Sequence, residues 1–236
     1  HSLQVSFNRR AAKGLTMSVA YTFAKSIDIA SSDYFTADLP PDTRNTRRER
    51  GPSDFDRTHV LNISGIWKLP RLVRGGAAAP LVNGWELSGI ARFNSGKPFD
   101  VVMTTDVAGV GGTQNQRPDV VGDTKGPRTT EMWFNRFAFA RPATGAFGNM
   151  GRNSLRGPGI NKWDLALFKT FTRQESKLRW QFRAELFNAF NHPSYTTVAA
   201  SLTTTASGVD PLANNFARVT ATRDARVAQL ALRVNF

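Results

Sequence analysis

R-V-A-Q-L-A-L-R-V-N-F, residues 226–236, is the stretch that decides the fold. Ala228, Leu230, Leu232, Val234 and Phe236 share one side of a period of two, and Val227, Gln229, Ala231, Arg233 and Asn235 share the other. This is the pattern of a strand with one apolar and one largely polar face. Its apolar side runs without a break to a final aromatic. A soluble protein seldom leaves such a face on a terminus, because termini fray and expose what they carry. A strand of a membrane barrel has a use for it: the apolar face meets lipid and the aromatic tip sits at the interface.

Working back from the end, the same alternation recurs. Residues 177–190 set Leu178, Trp180, Phe182, Ala184 and Leu186 against Arg179, Gln181, Arg183, Glu185 and Phe187. Residues 162–172 set Trp163, Leu165, Leu167 and Phe171 against Asp164, Ala166, Phe168 and Thr170. Residues 85–94 and 58–69 follow suit, with Trp85, Leu87, Ala91 and Phe93, then Leu61, Ile63 and Trp67, on the apolar side. The most regular run is 15–25, where Leu15, Met17, Val19, Tyr21 and Phe23 alternate with Thr16, Ser18, Ala20, Thr22 and Ala24. Leu3, Val5 and Phe7 mark a further strand over 2–10, and 99–103 reads as a small extra one.

The connections then alternate in length: 11–14 short, 26–57 long, 70–84 shorter, 95–160 long, 173–176 tight, 191–224 long. Barrels of the outer membrane have short periplasmic turns and long extracellular loops. With the last strand ending on the periplasmic side, every short connection falls there. The outward aromatics then form two bands: Trp67, Trp85, Phe171 and Trp180 with Phe236 toward the periplasm, and Tyr21, Phe23, Phe93 and Trp163 toward the outside. The expected fold is an all-β, antiparallel, up-and-down transmembrane β-barrel piece of about seven to eight strands. A soluble β-sandwich would also bury its apolar faces, but it does not call for alternating connection lengths. A loop as long as 95–160 would also count against a compact soluble domain.

Composition is compatible with this. The chain has 236 residues and a formal net charge of +13. Mean hydropathy is −0.34, as strands that are apolar only at alternate positions allow. The chain opens on His1 with no signal-peptide pattern behind it, so upstream parts are expected to lie outside this sequence. With no cysteine, disulfides, thiolate metal sites and cysteine nucleophiles are excluded. The basic balance suits nucleic acid, an anionic membrane surface or an acidic partner. Apart from Arg44, Arg47, Arg48 and Arg50 the cations are scattered, which disfavours nucleic acid. His1, His59 and His192 sit in no catalytic motif, and Gly109–Gly112 lacks a strand–helix context. The expectation is no enzyme, no cofactor and no metal.

Several segments together carry a family resemblance: G-N-M-G-R-N-S-L-R-G-P-G-I-N-K-W-D-L-A-L-F-K-T-F at 148–171 and R-W-Q-F-R-A-E-L-F-N-A-F-N-H-P-S-Y at 179–195. Supporting pieces are A-Y-T-F-A-K-S at 20–26, G-P-S-D-F-D-R-T-H at 51–59, Q-R-P-D-V-V-G-D at 116–123, Trp133-Phe134-Asn135 and the terminal strand. The chain resembles the C-terminal barrel of TonB-dependent receptors of the Oar-like kind. Ala217 and Ala225 depart from it, standing where the family pattern has Gly and Pro. The resemblance implies an outer-membrane barrel of about 22 strands around a plug. It also implies a ligand held by outer loops and plug, and energy delivered by TonB through a plug segment this chain does not contain. It implies further that Leu230, Leu232, Val234 and Phe236 form an ending read by the barrel-assembly machinery.

On this reading Glu86, Arg92, Asp164, Arg179, Arg183, Glu185 and Arg233 face the lumen. They serve either as cross-strand ladders that contact the plug or as a polar wall along a solute path. Asp28, Asp33, Asp38 and Asp42 fit no calcium loop and read as solvated, with cation binding as the weaker alternative. Asp54 and Asp56 are expected to fix a turn before the 58–69 strand. The arginines at 44–50 lie in an outer loop, where lipopolysaccharide phosphates or an anionic ligand would attract them. The expected partners are therefore outer-membrane lipid and lipopolysaccharide, TonB, the assembly machinery and an unknown ligand. Two other readings stay open: a non-transport surface or adhesion receptor on the same barrel, and a soluble basic β-domain that binds polyanions.

Overall fold

A computed structural model describes residues 1–31, 40–112, 115–172 and 179–235. Seven strands form one antiparallel sheet: β1 (Ser2–Ala12), β2 (Leu15–Ala24), β3 (His59–Lys68), β4 (Trp85–Asn94), β5 (Ile160–Thr172), β6 (Arg179–Phe187) and β7 (Val227–Asn235). Spatial order equals chain order, so each strand pairs with its predecessor and successor. The register keeps side-chain parity across the sheet: Phe7 faces Val19, Val19 faces Ile63, Ile63 faces Ala91, and Ala91 faces Trp163. Farther on, Leu165 faces Leu186 and Leu186 faces Ala228. A shift of one residue anywhere would have mixed the two faces. The strand positions expected from the alternation are thus the strands observed, with ends moved by a few residues.

The turn between β1 and β2 is two residues, Lys13 and Gly14, both with positive φ (51° and 78°). That is the hairpin geometry whose twist suits adjacent strands. A side chain on Gly14 would also meet the Lys68 carbonyl oxygen at 2.4 Å. The connection from β3 to β4 is ordered by Asn83. Its side chain accepts from the Leu72 N–H (2.8 Å) and donates to the Val73 carbonyl (2.6 Å).

The apolar face of the sheet is uncovered. Leu3, Val5 and Phe7 on β1 and Leu230 and Leu232 on β7 are each more than half exposed, Leu230 reaching 72%. Total accessible surface is 14989 Å², against about 10,500 Å² for a soluble monomer of the same mass. The buried core lies elsewhere, in the long connections: Val101, Phe134, Ala138, Phe139, Met150, Leu155, Leu202, Phe216 and Ala217. Phe134 sits edge-on to Phe216 (5.1 Å between centroids) and to Phe139 (5.7 Å). The long connections 95–160 and 191–224 therefore pack into one cap at the end of the sheet opposite the short turns.

The expected extra strand at 99–103 is corrected by the structure. It is two short strands: Pro98–Phe99 pairs antiparallel with Leu155–Arg156, and Val102–Met103 pairs in parallel with Ser201–Leu202. The ladder breaks at Asp100, whose carboxylate accepts the Asn153 backbone N–H.

Candidate functional site

The cap is held over the sheet by buried charges that come from segments far apart in sequence. Arg117 makes a forked pair with Glu49 (2.7 and 2.8 Å) and donates from Nε to the Met150 carbonyl (3.1 Å). Both side chains are nearly inaccessible. A second carboxylate, Asp100, lies 3.6 Å from Arg117. Burial pushes Asp100 up to about 6, against the pull of Arg117, the Asn153 N–H and Arg152. Arg152 pairs with Asp28 and with Asp54 (3.2 Å), and donates to Ser31 Oγ (2.9 Å). Burial alone would raise the Asp28 carboxyl, but hydrogen bonds from Ser53, Arg152 and Ser31 and the Arg152 charge hold it below its usual value. Arg156 pairs with the buried Asp56 at 2.6 Å.

Three of the quoted motifs therefore meet in one clasp. G-P-S-D-F-D-R supplies Asp54 and Asp56, Q-R-P-D supplies Arg117, and G-N-M-G-R-N-S-L-R supplies Arg152 and Arg156. The glycines permit the close approach: a side chain on Gly51 would meet the Arg152 carbonyl at 2.4 Å, and one on Gly148 would meet the Arg117 carbonyl at 2.2 Å. Asp54 and Asp56 were expected to fix a local turn. Asp56 does help close one, since its N–H donates to the Ser53 carbonyl (2.8 Å). Both carboxylates also reach across about a hundred residues of chain, and spacing alone gives no sign of that. Trp133-Phe134-Asn135 has a comparable role, with Phe134 at the centre of the cap core and Trp133 Nε1 donating to the Arg156 carbonyl (2.9 Å).

Other candidates fall into place as structure. The Gly109–Gly112 run wraps its own carboxylate: Asp106 accepts from the N–H groups of Gly109 (2.8 Å), Val110 (3.1 Å) and Gly111 (2.7 Å), and from Gln116 Nε2 (2.6 Å). Gln116 and these backbone donors lower the Asp106 pKa, so an incoming phosphate finds the nest filled. Arg48 donates to the Gly148 carbonyl and lies over the Phe147 ring (5.3 Å). Asp28 serves Arg152, while Asp33 and Asp38 lie outside the described residues. Among the described residues no group of three or more His, Asp or Glu is arranged to hold a metal ion.

On the sheet, the charged residues singled out from the sequence share the polar face. Asp164 pairs with Lys162 within β5 (3.4 Å) and accepts the Asn188 N–H (2.9 Å). Arg183 lies over the Phe168 ring (5.4 Å) and donates to Gln181 (3.0 Å). Glu185 stands opposite Gln229 and Ala166, and Arg233 opposite Gln181. Glu86 stands opposite Lys68 and Phe168, and Arg92 opposite Asn62 and Lys162. Arg179 pairs in register with Thr172 and Asn235 near the short-turn end. Among the described residues Glu86, Arg92, Arg179, Arg183 and Glu185 form no ion pair, so this face presents charge to whatever occupies the space in front of it.

The opposite face carries the aromatics in two bands. Near the cap, the Tyr21 hydroxyl meets His59 Nδ1 (2.9 Å), Phe23 lies 5.3 Å from the His59 ring, and Phe93 is edge-on to Trp163 (5.5 Å). Near the short turns, Phe171 stands opposite Trp180, and Trp67 stands opposite Leu15 and Leu87. One residue there was missed in the sequence. Lys169 breaks the apolar alternation of β5, yet it is 1% exposed. Its ammonium lies between Trp85 (5.3 Å) and Phe171 (5.0 Å) and donates to the Asn83 carbonyl. A cation in an apolar band is tolerable where its stem is covered and its head reaches an interfacial carbonyl. Leu230, Leu232 and Val234 lie on this face, and Phe236 lies outside the described residues.

A family model described as "Outer membrane beta barrel domain" matches residues 1–229. The chain belongs to that family. It is therefore an outer-membrane protein whose uncovered apolar face meets lipid and whose polar face looks into the lumen, and the soluble sandwich is set aside. Its long connections form the extracellular cap of the barrel and its short turns face the periplasm. No match was found among curated proteins or among solved structures.

Proposed function

We propose that this outer-membrane barrel protein is part of a receptor that takes a solute across the outer membrane with energy supplied through TonB. The observation that carries this reading is the lumenal wall. Among the described residues Glu86, Arg92, Arg179, Arg183 and Glu185 have no ion-pair partner on the neighbouring strands, and the wall lies beneath a cap clasped by Glu49–Arg117, Arg152–Asp28 and Arg156–Asp56. A purely structural barrel interior would be expected to neutralise such charges within its own wall. The motif resemblance supplies the link to TonB-dependent receptors. The edges of β1 and β7 supply a second support. Each leaves a row of N–H and C=O groups that lipid cannot satisfy, at several kcal/mol apiece. Further strands of the same barrel would pair them and enclose a lumen wide enough for a plug. The protein has no catalytic step in this reading.

The test compares solute depletion from the medium by wild-type cells, cells lacking this gene and cells lacking TonB. The reading predicts at least one solute whose depletion falls in both mutants. Depletion profiles identical in all three strains, with altered attachment to surfaces in the first mutant, would replace it by the adhesion reading.

A further inference from the structure

We propose that the outer end of the lumenal wall is a binding site for a small soluble anion bearing phosphate or carboxylate groups, built by Arg92, Lys162 and Arg223. This rests on the receptor reading and deepens it by naming a class of solute. The three cations line a cavity of about 740 Å³ together with Asn94, Ser194 and a single carboxylate, Asp224. That volume suits a small molecule.

The cations are held together by the fold and not by counter-charges. Arg92 on β4 stands directly opposite Lys162 on β5, and like charges in that position repel. Lys162 is partly balanced by Asp164 at 3.4 Å. Among the described residues neither Arg92 nor Arg223 has an ion-pair partner. The segment that carries Arg223 is fixed by its own N–H, which donates to the Ser194 carbonyl (2.8 Å). Behind it, Arg57 is tied to the Ser95 carbonyl (2.7 Å). Burial and the Arg223 charge both disfavour the charged form of Arg57, which marks a further cation close by. Guanidinium groups donate in forks that match carboxylate and phosphate oxygens, so an anion in the cavity would relieve the repulsion and gain several charge-assisted hydrogen bonds.

The location selects among sources of such an anion. Arg92, Asn94, Ile160, Lys162, Phe187 and Val227 all project from the polar face of the sheet, so lipid headgroups along the opposite face do not reach them. The cavity lies at the cap end of the wall, where a solute released from the cap enters the lumen.

Phosphate and citrate are the probes. Thermal unfolding of the detergent-purified full-length protein is followed in each, against chloride at equal ionic strength, for wild type, Arg92→Gln/Arg223→Gln and the inner-end control Arg179→Gln. Both anions should raise the midpoint of wild type and of Arg179→Gln. The double variant should lose that shift, its citrate dissociation constant weakening at least about tenfold, with each single variant intermediate. In chloride the double variant should melt no lower than wild type, because a repulsion has gone. No shift over chloride in wild type, or an equal shift in the double variant, would overturn the site, as would an equal loss in Arg179→Gln. The measurement reads occupancy without transport. A negative result here leaves TonB-dependent uptake standing, and a failure of TonB dependence leaves the binding signal standing.

Discussion

At the scale of the residue, the clasp depends on a few buried charges of unequal standing. Arg117 and Glu49 satisfy one another through two short bonds, a geometry that offsets much of the cost of taking both from water. Asp100 is the surplus carboxylate beside them, and burial pushes it up to about 6. The folded protein therefore holds the Asp100 proton more tightly than the unfolded chain does. Its contribution to stability is largest below about pH 4 and is lost as pH rises toward about 6. Relative to wild type, Asp100→Asn should gain unfolding free energy between about pH 4 and pH 7, on the order of 3 kcal/mol. Thermal or denaturant unfolding of both proteins across that range measures it, and a difference that stays flat with pH would refute it. Ala217 shows how local a sequence clue can be. The resemblance leads one to expect Gly there, and the backbone has φ = 66°, a conformation that ordinarily favours glycine. The departure is visible in the sequence, but the backbone angle that makes glycine the natural residue there is visible only in the fold.

At the scale of the element, the strands were legible and the cap was not. Period-two alternation in 15–25 or 226–236 fixes which side chains share a face, and the register follows once one face must be apolar. Lys169 escaped because it breaks that alternation, and only the fold shows that Trp85, Phe171 and the Asn83 carbonyl make its place tolerable. The cap escaped for a different reason. Its contacts join residues such as Asp28 and Arg152, or Val102 and Ser201, that share no period and no fixed spacing. The motif segments were recognised as marks of a family, but nothing in their order showed that Asp54, Arg117 and Arg152 would meet. The short turns sit between these extremes. Gly14 has the positive φ that a two-residue hairpin turn requires, and the Lys68 carbonyl lies 2.4 Å from where a Cβ would sit. Gly14→Ala should therefore destabilise the β1–β2 hairpin by about 2 kcal/mol or more. A lowered midpoint for the heat-induced loss of the compact, fast-migrating form on gels would show this. An unchanged midpoint would mean the turn relaxes freely.

At the scale of the whole molecule, the exposed sheet face and the buried cap give one picture. The accessible surface exceeds the expectation for a soluble monomer because the apolar side of seven strands has no protein against it. Among the described residues the buried apolar core lies in the cap, built from the long connections. The lipid-facing and lumen-facing sets alternate residue by residue, and on that alternation rest the outer-membrane orientation, the receptor reading and the anion site on the lumenal wall. Because these 236 residues contain no cysteine, this can be read directly on β7, with any cysteine elsewhere in the protein replaced by serine. Single substitutions Ala228→Cys, Gln229→Cys, Leu230→Cys, Ala231→Cys and Leu232→Cys are made in turn, and intact outer membranes are treated with a water-soluble maleimide. Gln229→Cys and Ala231→Cys should label, while Ala228→Cys, Leu230→Cys and Leu232→Cys should stay protected until detergent removes the lipid. Uniform labelling along the strand, or protection of 229 and 231 in place of 228, 230 and 232, would contradict the account.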